Sequence, residues 1–472
     1  MPTPRPSASD QESSSRSHWP WGLAIGSVLI VLVVLLLPRQ GTSPTAPRAT
    51  NGVEPSAVAD GTGAERARWS RSRAGAALTP EEIVAGKVTQ FAHDRLRITR
   101  SMASRFKVSV APDVERFFAA VAAGRWEELN AAFEALKQRR ESGHAEDLGV
   151  LWGPILETLL IAECGHDWPA QKLLDYGQAT LGSLRPGMVY VGGTDPGRGI
   201  PTLLNETGDG ERHVVITQNA LADGSYLRYL DFLYGDRVKT LTTEESQRAF
   251  QDYLSEAQKR LAHDQQFPDE PKQIRPGEDV RVVDGRVQVT GQIAVMAINE
   301  ILLRTFMTKN PDLAFALEES FPLKSTYPNA VPLGPLMELG VQDVQNSFTR
   351  DSAAQAVNYW RDTAQQFLSD TAASADSAPR LSYAKMAAAQ AALLADHQYG
   401  AEAEQAYRVA VQISPASPEA AYGLARLLAT TGRAEEARQL VADFERAHPS
   451  KDPAPVWKFI YSGGRGEEAA RR

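Results

Sequence analysis

The chain has 472 residues, of which 43% are hydrophobic and 23% are charged, and its formal net charge is -8. That length exceeds one ordinary core, so we expect two or three folded units of globular protein. The acidic balance argues against nucleic acid as a partner, because nucleic-acid-binding proteins usually present a basic face. A single cysteine, Cys164, excludes an internal disulfide and leaves the cellular compartment open.

An uncharged apolar run from Trp21 to Leu37 follows the N-terminal tail, residues 1–18. With its flanks it approaches the ~20 residues that span a bilayer, so we predict a transmembrane helix over 19–38. The alternative is a cleaved signal peptide, although the segment from Pro38 to Thr42 offers no small-x-small cleavage site. A short tail before a lone span most often stays inside. We therefore expect the soluble part on the extracytoplasmic side of the membrane.

Residues 39–78 are rich in Pro, Gly, Ser, Thr and Ala, which predicts a disordered linker. Residues 79–184 are predicted to be helical, and the segment from Thr79 to Glu82 has the pattern of an N-cap followed by a capping box. Two apolar-periodic stretches between Pro112 and Arg140, separated near Gly124, predict a helical hairpin. Further helices are expected at 152–160 and 169–184.

Residues 185–340 change character, and their β-branched runs predict strands at 188–191, 214–217, 280–283, 286–290 and 313–317. Asp284 and Gly285 form the two-residue signal for an antiparallel type I′ hairpin. Helical stretches at 223–233, 243–261 and 292–309 intervene. We therefore expect an α/β domain with a mixed sheet and Rossmann-like layers. Prolines between Phe321 and Pro335 predict an irregular exit from that domain.

Two of these strands end in clusters of glycine and polar residues, at 192–198 and 217–223. In open α/β sheets, ligands bind at the carboxyl ends of strands, where the following turns present backbone N–H groups and short polar side chains. A sugar-like or anionic small molecule is the candidate ligand. The candidate ligand-binding residues are Gly192, Gly193, Thr194, Asp195, Arg198, Thr217, Gln218, Asn219 and Asp223.

Each candidate has a structural alternative. Asp195 either contacts a ligand hydroxyl or cation, or closes an Asp-Pro-Gly turn with its carboxylate. Arg198 either binds a carboxylate or phosphate as a bidentate fork, or forms a surface ion pair. Thr217, Gln218 and Asn219 either hydrogen-bond a ligand, or they cap the helix starting near Asp223 or bond across to the Gly192 loop.

No sequence motif supplies a reaction. The chain has none of the usual nucleotide, zinc-protease or nucleophile-elbow patterns. The segment from Cys164 to Asp167 contains metal-ligand types but lacks the second pair that a zinc site needs. Glu318 and Glu319 are adjacent on a strand end and should point to opposite faces, which argues against joint acid/base work. We expect no metal and no cofactor, and no catalytic residue is assigned.

The C-terminal region, residues 381–472, repeats with a spacing of 34 residues, after predicted connecting helices in 341–380. Ala403, Tyr407, Ala410 and Pro415 recur as Ala437, Val441, Phe444 and Pro449. This pattern resembles tetratricopeptide repeats. The resemblance implies an α-solenoid that binds a protein partner through its concave surface. Trp457 and Gly466 continue the register weakly.

The loop motifs GGTDPGR (192–198) and TQNALAD (217–223) resemble a second family. They are similar to the soluble region of certain large bacterial membrane proteins, which are themselves similar to protein O-mannosyltransferases and often end in tetratricopeptide repeats. The similarity covers about 185–339 and implies a connection with glycosyl transfer. This sequence has one predicted span, so it lacks the multi-span unit that would hold a lipid-linked donor.

Three hypotheses follow. The first is a membrane-anchored extracytoplasmic scaffold, non-catalytic, with a ligand- or peptide-binding α/β module and partner-binding repeats. The second is an accessory or catalytic component of cell-envelope glycan or glycoprotein metabolism, with Asp195 and Arg198 at its centre. The third is a purely structural assembly subunit, in which the loop motifs only hold the fold. We favour the first.

Overall fold

A computed structural model describes residues 78–449, apart from 144, 194, 276–277, 284–285, 319–324, 370–373 and 375–376. The predicted N-terminal tail, transmembrane helix and linker up to residue 77 lie outside the described residues. So do Thr194, the turn at Asp284 and Gly285, and the weak third repeat after residue 449.

The described chain begins with consecutive helices: α1 (Pro80–Phe106), α2 (Pro112–Ala122), α3 (Trp126–Glu141), α4 (Glu146–Asp167) and α5 (Ala170–Leu181). The predicted capping box is present, because the Thr79 hydroxyl accepts from the Glu82 N–H at 3.2 Å and the Glu82 carboxylate accepts from the Thr79 N–H at 3.0 Å. Gly124, with φ +65°, makes the turn of the predicted hairpin between α2 and α3. The helical prediction for this region is confirmed.

By length and composition alone, helix α4 could cross a membrane. Among the helices of the described residues, it is the one that is long and apolar enough. Of its most apolar window, 72% is buried inside the protein. It packs against α1 and against two later helices. Its apolarity is therefore that of a helix surrounded by protein.

A mixed sheet follows, with strands β1 (Val189–Gly192), β2 (Val214–Thr217), β5 (Phe315–Leu317), β6 (Ala330–Leu333) and β7 (Leu336–Leu339). Its order is β2-β1-β5-β7-β6. Strands β2, β1 and β5 are parallel, and β7 and β6 add antiparallel strands on one side. The helices between them are α6 (Asp195–Thr207), α7 (Gly224–Tyr234), α8 (Thr243–Gln266) and α9 (Gln292–Lys309).

The strands β3 (Asp279–Val283) and β4 (Arg286–Thr290) form the predicted antiparallel hairpin. They make a separate two-stranded ribbon and do not join the mixed sheet. Val280 pairs with Val289, and Val282 with Val287, so one face of the ribbon is all valine. That face packs at its base against α8 and α9.

The predicted irregular exit between Phe321 and Pro335 is wrong for the part that is described, because β6 and β7 form a hairpin there. Pro332 is tolerated since β6 is the edge strand of the sheet, where a missing N–H breaks no ladder. Gly334, with φ +57°, makes the turn together with Pro335. The prolines therefore mark an edge hairpin.

The C-terminal helices are α10 (Val344–Ser347), α11 (Arg350–Ser369), α12 (Ala378–Asp396), α13 (Gly400–Ile413), α14 (Pro418–Thr430) and α15 (Ala434–Ala447). Helices α12 and α13 form one pair, and α14 and α15 form a second pair offset by the predicted spacing. The turns within the pairs correspond too, because Gln398 (φ +67°) and Gly432 (φ +84°) both adopt the left-handed conformation.

The N-terminal helices, one face of the sheet and the C-terminal helices share one hydrophobic core. A buried ion-pair network ties α1 into it: Arg95 Nε lies 2.8 Å from Glu157 Oε2 on α4, and Arg95 Nη2 lies 3.4 Å from Glu206 Oε1 on α6. The hydroxyl of Tyr229 on α7 also donates to Glu157. Removing one partner of such a pair leaves a buried charge uncompensated.

The domain boundaries predicted above stay predictions.

Candidate functional site

The two glycine-rich and polar loops meet at one edge of the sheet. Strands β1 and β2 are parallel, and Gly192 lies opposite Thr217. The Asn219 side-chain amide donates to the Gly193 carbonyl, and the Thr217 hydroxyl accepts from the Asn219 N–H at 3.3 Å. The loops thus hydrogen-bond to each other, as the structural alternative for Asn219 predicts.

A third strand end joins them. Glu318 directly follows β5 at the same edge, and its residue is 2% exposed. Its carboxylate accepts from the Gly193 N–H at 2.9 Å and from the Tyr176 hydroxyl on α5 at 2.5 Å. Its own N–H donates to the Val191 carbonyl at 3.0 Å. One buried carboxylate therefore links three parts of the fold. Its hydrogen bonds offset the cost of burying it.

The Asp-Pro-Gly segment is not an isolated turn: Asp195 is the first residue of helix α6. Pro196 suits this start, because the first turn of a helix needs no backbone donor. A Cβ on Gly197 would lie 1.8 Å from both carboxylate oxygens of Glu318, so only glycine fits there. A Cβ on Gly199 would lie 2.9 Å from Cys164 Sγ. These glycines let α6 approach Glu318 and α4 closely.

The remaining polar candidates serve the local structure. Gln218 is buried, and Asn219 also accepts, through its carbonyl, from Asn299 Nδ2 at 3.1 Å. Asp223 caps helix α7 by accepting from the Ser225 N–H at 2.7 Å. The Tyr226 hydroxyl accepts from the Thr217 N–H at 2.9 Å. The N–H groups of Gly193, Thr217 and Asn219 are thus occupied within the fold.

Asp195 and Arg198 are both half-buried. Within the described part of the chain, the Asp195 carboxylate has no hydrogen-bond partner. Burial raises the pKa of Asp195, while Arg198 and Lys385 oppose that shift. Burial also raises the pKa of Tyr226 to about 12, and the neighbouring Arg198 lowers it.

Two more acids lie near Asp195 at the end of α4. Burial, Asp195 and Asp167 together raise the pKa of Glu163 to about 7. Burial also raises the pKa of Asp167. Within the described residues, no group of three or more His, Cys, Asp or Glu side chains is arranged to hold a metal ion.

Residues 393–458 match the family model of the tetratricopeptide repeat. The chain therefore carries repeats of this kind at its C-terminal end, and the match begins in α12 and runs through α15. No curated protein and no solved structure matches the chain. The similarity of 185–339 to proteins related to O-mannosyltransferases gains no support from these comparisons.

Sequence reasoning missed Glu318 as part of this site. The signal was available, since an acidic residue directly follows the fifth predicted strand, as polar residues follow the first two. In the sequence, Glu318 stands out only as the neighbour of Glu319. The parallel pairing of β5 with β1 is what places it at the same edge.

We predict that Gly197→Ala destabilises the protein, because the added methyl group must displace the buried Glu318 carboxylate. The expected loss is on the order of 2 kcal/mol or more in the free energy of unfolding, measured by urea denaturation of the full chain in detergent. Gly86→Ala is the matched control. It lies within α1 with nothing within 4 Å, so it should stabilise by about 0.5–1 kcal/mol. Equal stability of Gly197→Ala and wild type would contradict the assignment.

The raised pKa of Glu163 predicts a pH dependence of stability. Its usual value is 4.5 and its folded value is about 7, so the folded state binds the proton more tightly. Stability from this group is fully present below about pH 4.5 and is lost as pH rises to 7. Glu163→Gln should abolish that loss and stabilise the protein at pH 8 by roughly 2 kcal/mol. Exposed Glu134→Gln is the control, and equal effects of both would refute the prediction.

Proposed function

We propose that the protein is a membrane-anchored, extracytoplasmic, non-catalytic scaffold that captures a protein partner through its C-terminal repeats. The tetratricopeptide match over 393–458, together with two helix pairs in the same spacing, carries this proposal. Tetratricopeptide repeats generally mediate protein-protein interactions, and stacked helix pairs offer extended surfaces for them.

The anchor and its orientation rest on the sequence. The uncharged run from Trp21 to Leu37 is close to the length that spans a bilayer, and in the orientation that we propose the downstream chain lies outside the cytoplasm. The linker of residues 39–78 would then separate the membrane from the folded part. This arrangement puts the repeats on the periplasmic side.

The non-catalytic assignment is supported by the loops themselves. Gly193, Asn219 and Thr217 bond to one another or to core residues, so they support the fold. Catalytic groups must remain accessible to a substrate, whereas these groups are already bound within the fold. The parallel β1–α6–β2 unit also supports the Rossmann-like layering that we propose for this part of the chain.

A second candidate function is the binding of a sugar-like or anionic small molecule at Asp195 and Arg198. One observation favours it: both side chains are half-buried, and the Asp195 carboxylate lacks a hydrogen-bond partner among the described residues. The further step to glycan or glycoprotein metabolism rests on the loop-motif similarity alone. A purely structural subunit remains the third alternative.

The location can be tested with a membrane-impermeant maleimide on whole cells. The native cysteine, Cys164, is buried, so it should not react and the maleimide signal comes from the engineered cysteine. Exposed Ala442→Cys should be labelled in intact cells, whereas Ser7→Cys in the N-terminal tail should be labelled only after lysis. The reverse pattern would place the repeats in the cytoplasm.

Partner capture can be tested by cross-linking in native membranes, purification of the tagged full chain and quantitative mass spectrometry. Arg426 on α14 is half-buried and has no salt bridge to any described residue. We expect Arg426→Glu to reduce the enriched partner by roughly tenfold, as interface charge reversals do. The same change at exposed Arg97 on α1 should leave capture unchanged.

Arg198→Ala distinguishes the two candidate functions in the same experiment. The scaffold proposal expects it to retain the partner, because Arg198 lies outside the repeats. Loss of a co-purified small molecule with Arg198→Ala, and retention of the protein partner, would add the second function. Unchanged capture by Arg426→Glu would count against the repeats as the binding surface.

A further inference from the structure

Helix α12, the first helix of the first repeat, is surrounded by protein. From Tyr383 to Leu394 every residue is buried except Lys385, which is half-buried. The contrast with α15 is strong, because Ala437 is the buried residue of that helix. A helix that is apolar and buried all round belongs to a core and offers no face to a partner.

One side of α12 packs against α13 and α14, as expected for stacked repeats. The other side meets the body of the protein, and Gln390 is the centre of that contact. Gln390 is 0% exposed, and its amide nitrogen donates to the carbonyls of Gly334 and Leu336, each at 2.7 Å. Its amide oxygen accepts from Trp360 Nε1 at 2.8 Å. Gln390 therefore binds the turn of the β6–β7 hairpin.

The residues before β6 extend the same contact. The Tyr327 hydroxyl donates to the Ala389 carbonyl at 3.2 Å. His397 Nε2, at the end of α12, donates to the Tyr327 carbonyl at 2.7 Å. Polar groups of α12 and of the segment before β6 are thus hydrogen-bonded to each other, as buried polar groups require.

Aromatic packing continues this contact to α5 and α11. The Tyr383 ring lies edge-on to Tyr176 and to Phe367, with centroid distances of 5.3 Å and 4.9 Å. Met386 Sδ lies 3.8 Å from the Tyr176 hydroxyl, which also binds Glu318. The contact therefore reaches Glu318, at the end of β5.

We propose that the β6–β7 hairpin occupies the first repeat as an internal ligand, so that α12 is closed to any partner. The side-chain amide of Gln390 binds two backbone carbonyls at the turn of the hairpin, as it could bind the backbone of a captured peptide. Here the chain supplies that backbone itself. The inference rests on the proposed function in one respect: the partner of the repeats must then bind through the second repeat, α14 and α15.

Calorimetry of the detergent-solubilised full chain tests the closure without any partner. Because the hairpin and α12 form one core, wild type should melt in a single transition. Gln390→Ala should lower that transition by roughly 5 °C and keep it single. Exposed Gln439→Ala on α15 is the control and should leave the transition unchanged. Two separate transitions in wild type would overturn the proposal.

Hydrogen exchange of the wild-type chain covers the case in which Gln390→Ala fails to fold. Amides of α12 between 383 and 394 should be as protected as those of β7, because neither opens without the other. Exchange of α12 that is at least tenfold faster than that of β7 would show that α12 opens independently of the hairpin, and would overturn the proposal. Both measurements are independent of partner capture, so their failure is distinct from failure of the proposed function.

Discussion

The buried carboxylate of Glu318 is the constraint on which the rest of the structure depends. It accepts from the Gly193 N–H and the Tyr176 hydroxyl, and it fills the space that a side chain at 197 would need. A buried carboxylate is costly unless it is paired in this way. Gly193 and Gly197 in the motif at 192–198 are therefore explained by their contacts with Glu318.

The same contact extends through Tyr176 to the repeats, because Met386 on α12 lies beside that hydroxyl. Near the C-terminal end of α6, Glu206 pairs with Arg95 of α1. Helical region, sheet and repeats are thus joined by polar contacts inside a shared hydrophobic core. Partner capture by the repeats, in our account, takes place on a part of the chain that is rigidly attached to the sheet.

The sequence predicted correctly those elements whose signals lie within a few neighbouring residues. The capping box at Thr79, the β3–β4 hairpin and the bounds of α9 are confirmed, because caps, turn residues and periodicity act within a few residues. Elements that depend on position in the sheet were missed. Pro332 suggested irregular chain, and only its place on an edge strand makes it acceptable.

The site shows the same division. The meeting of the two loops could be predicted, because parallel strands bring their carboxyl ends to one edge. The partners of those loops could not: Glu318 is 125 residues from Gly193 in sequence, and its role depends on the pairing of β5 with β1. Helix α6 (Asp195–Thr207) was also missed, since its two glycines and two prolines are poor helix formers. Close packing requires the glycines at 197 and 199.

The central claim is that the loop motif is held by Glu318 and serves the fold. A double-mutant cycle between Tyr176→Phe and Glu318→Gln, measured by urea denaturation of the full chain, tests it most directly. The account predicts a coupling free energy of about 1–3 kcal/mol, because the two side chains share a buried hydrogen bond. Additive effects within about 0.3 kcal/mol would contradict it.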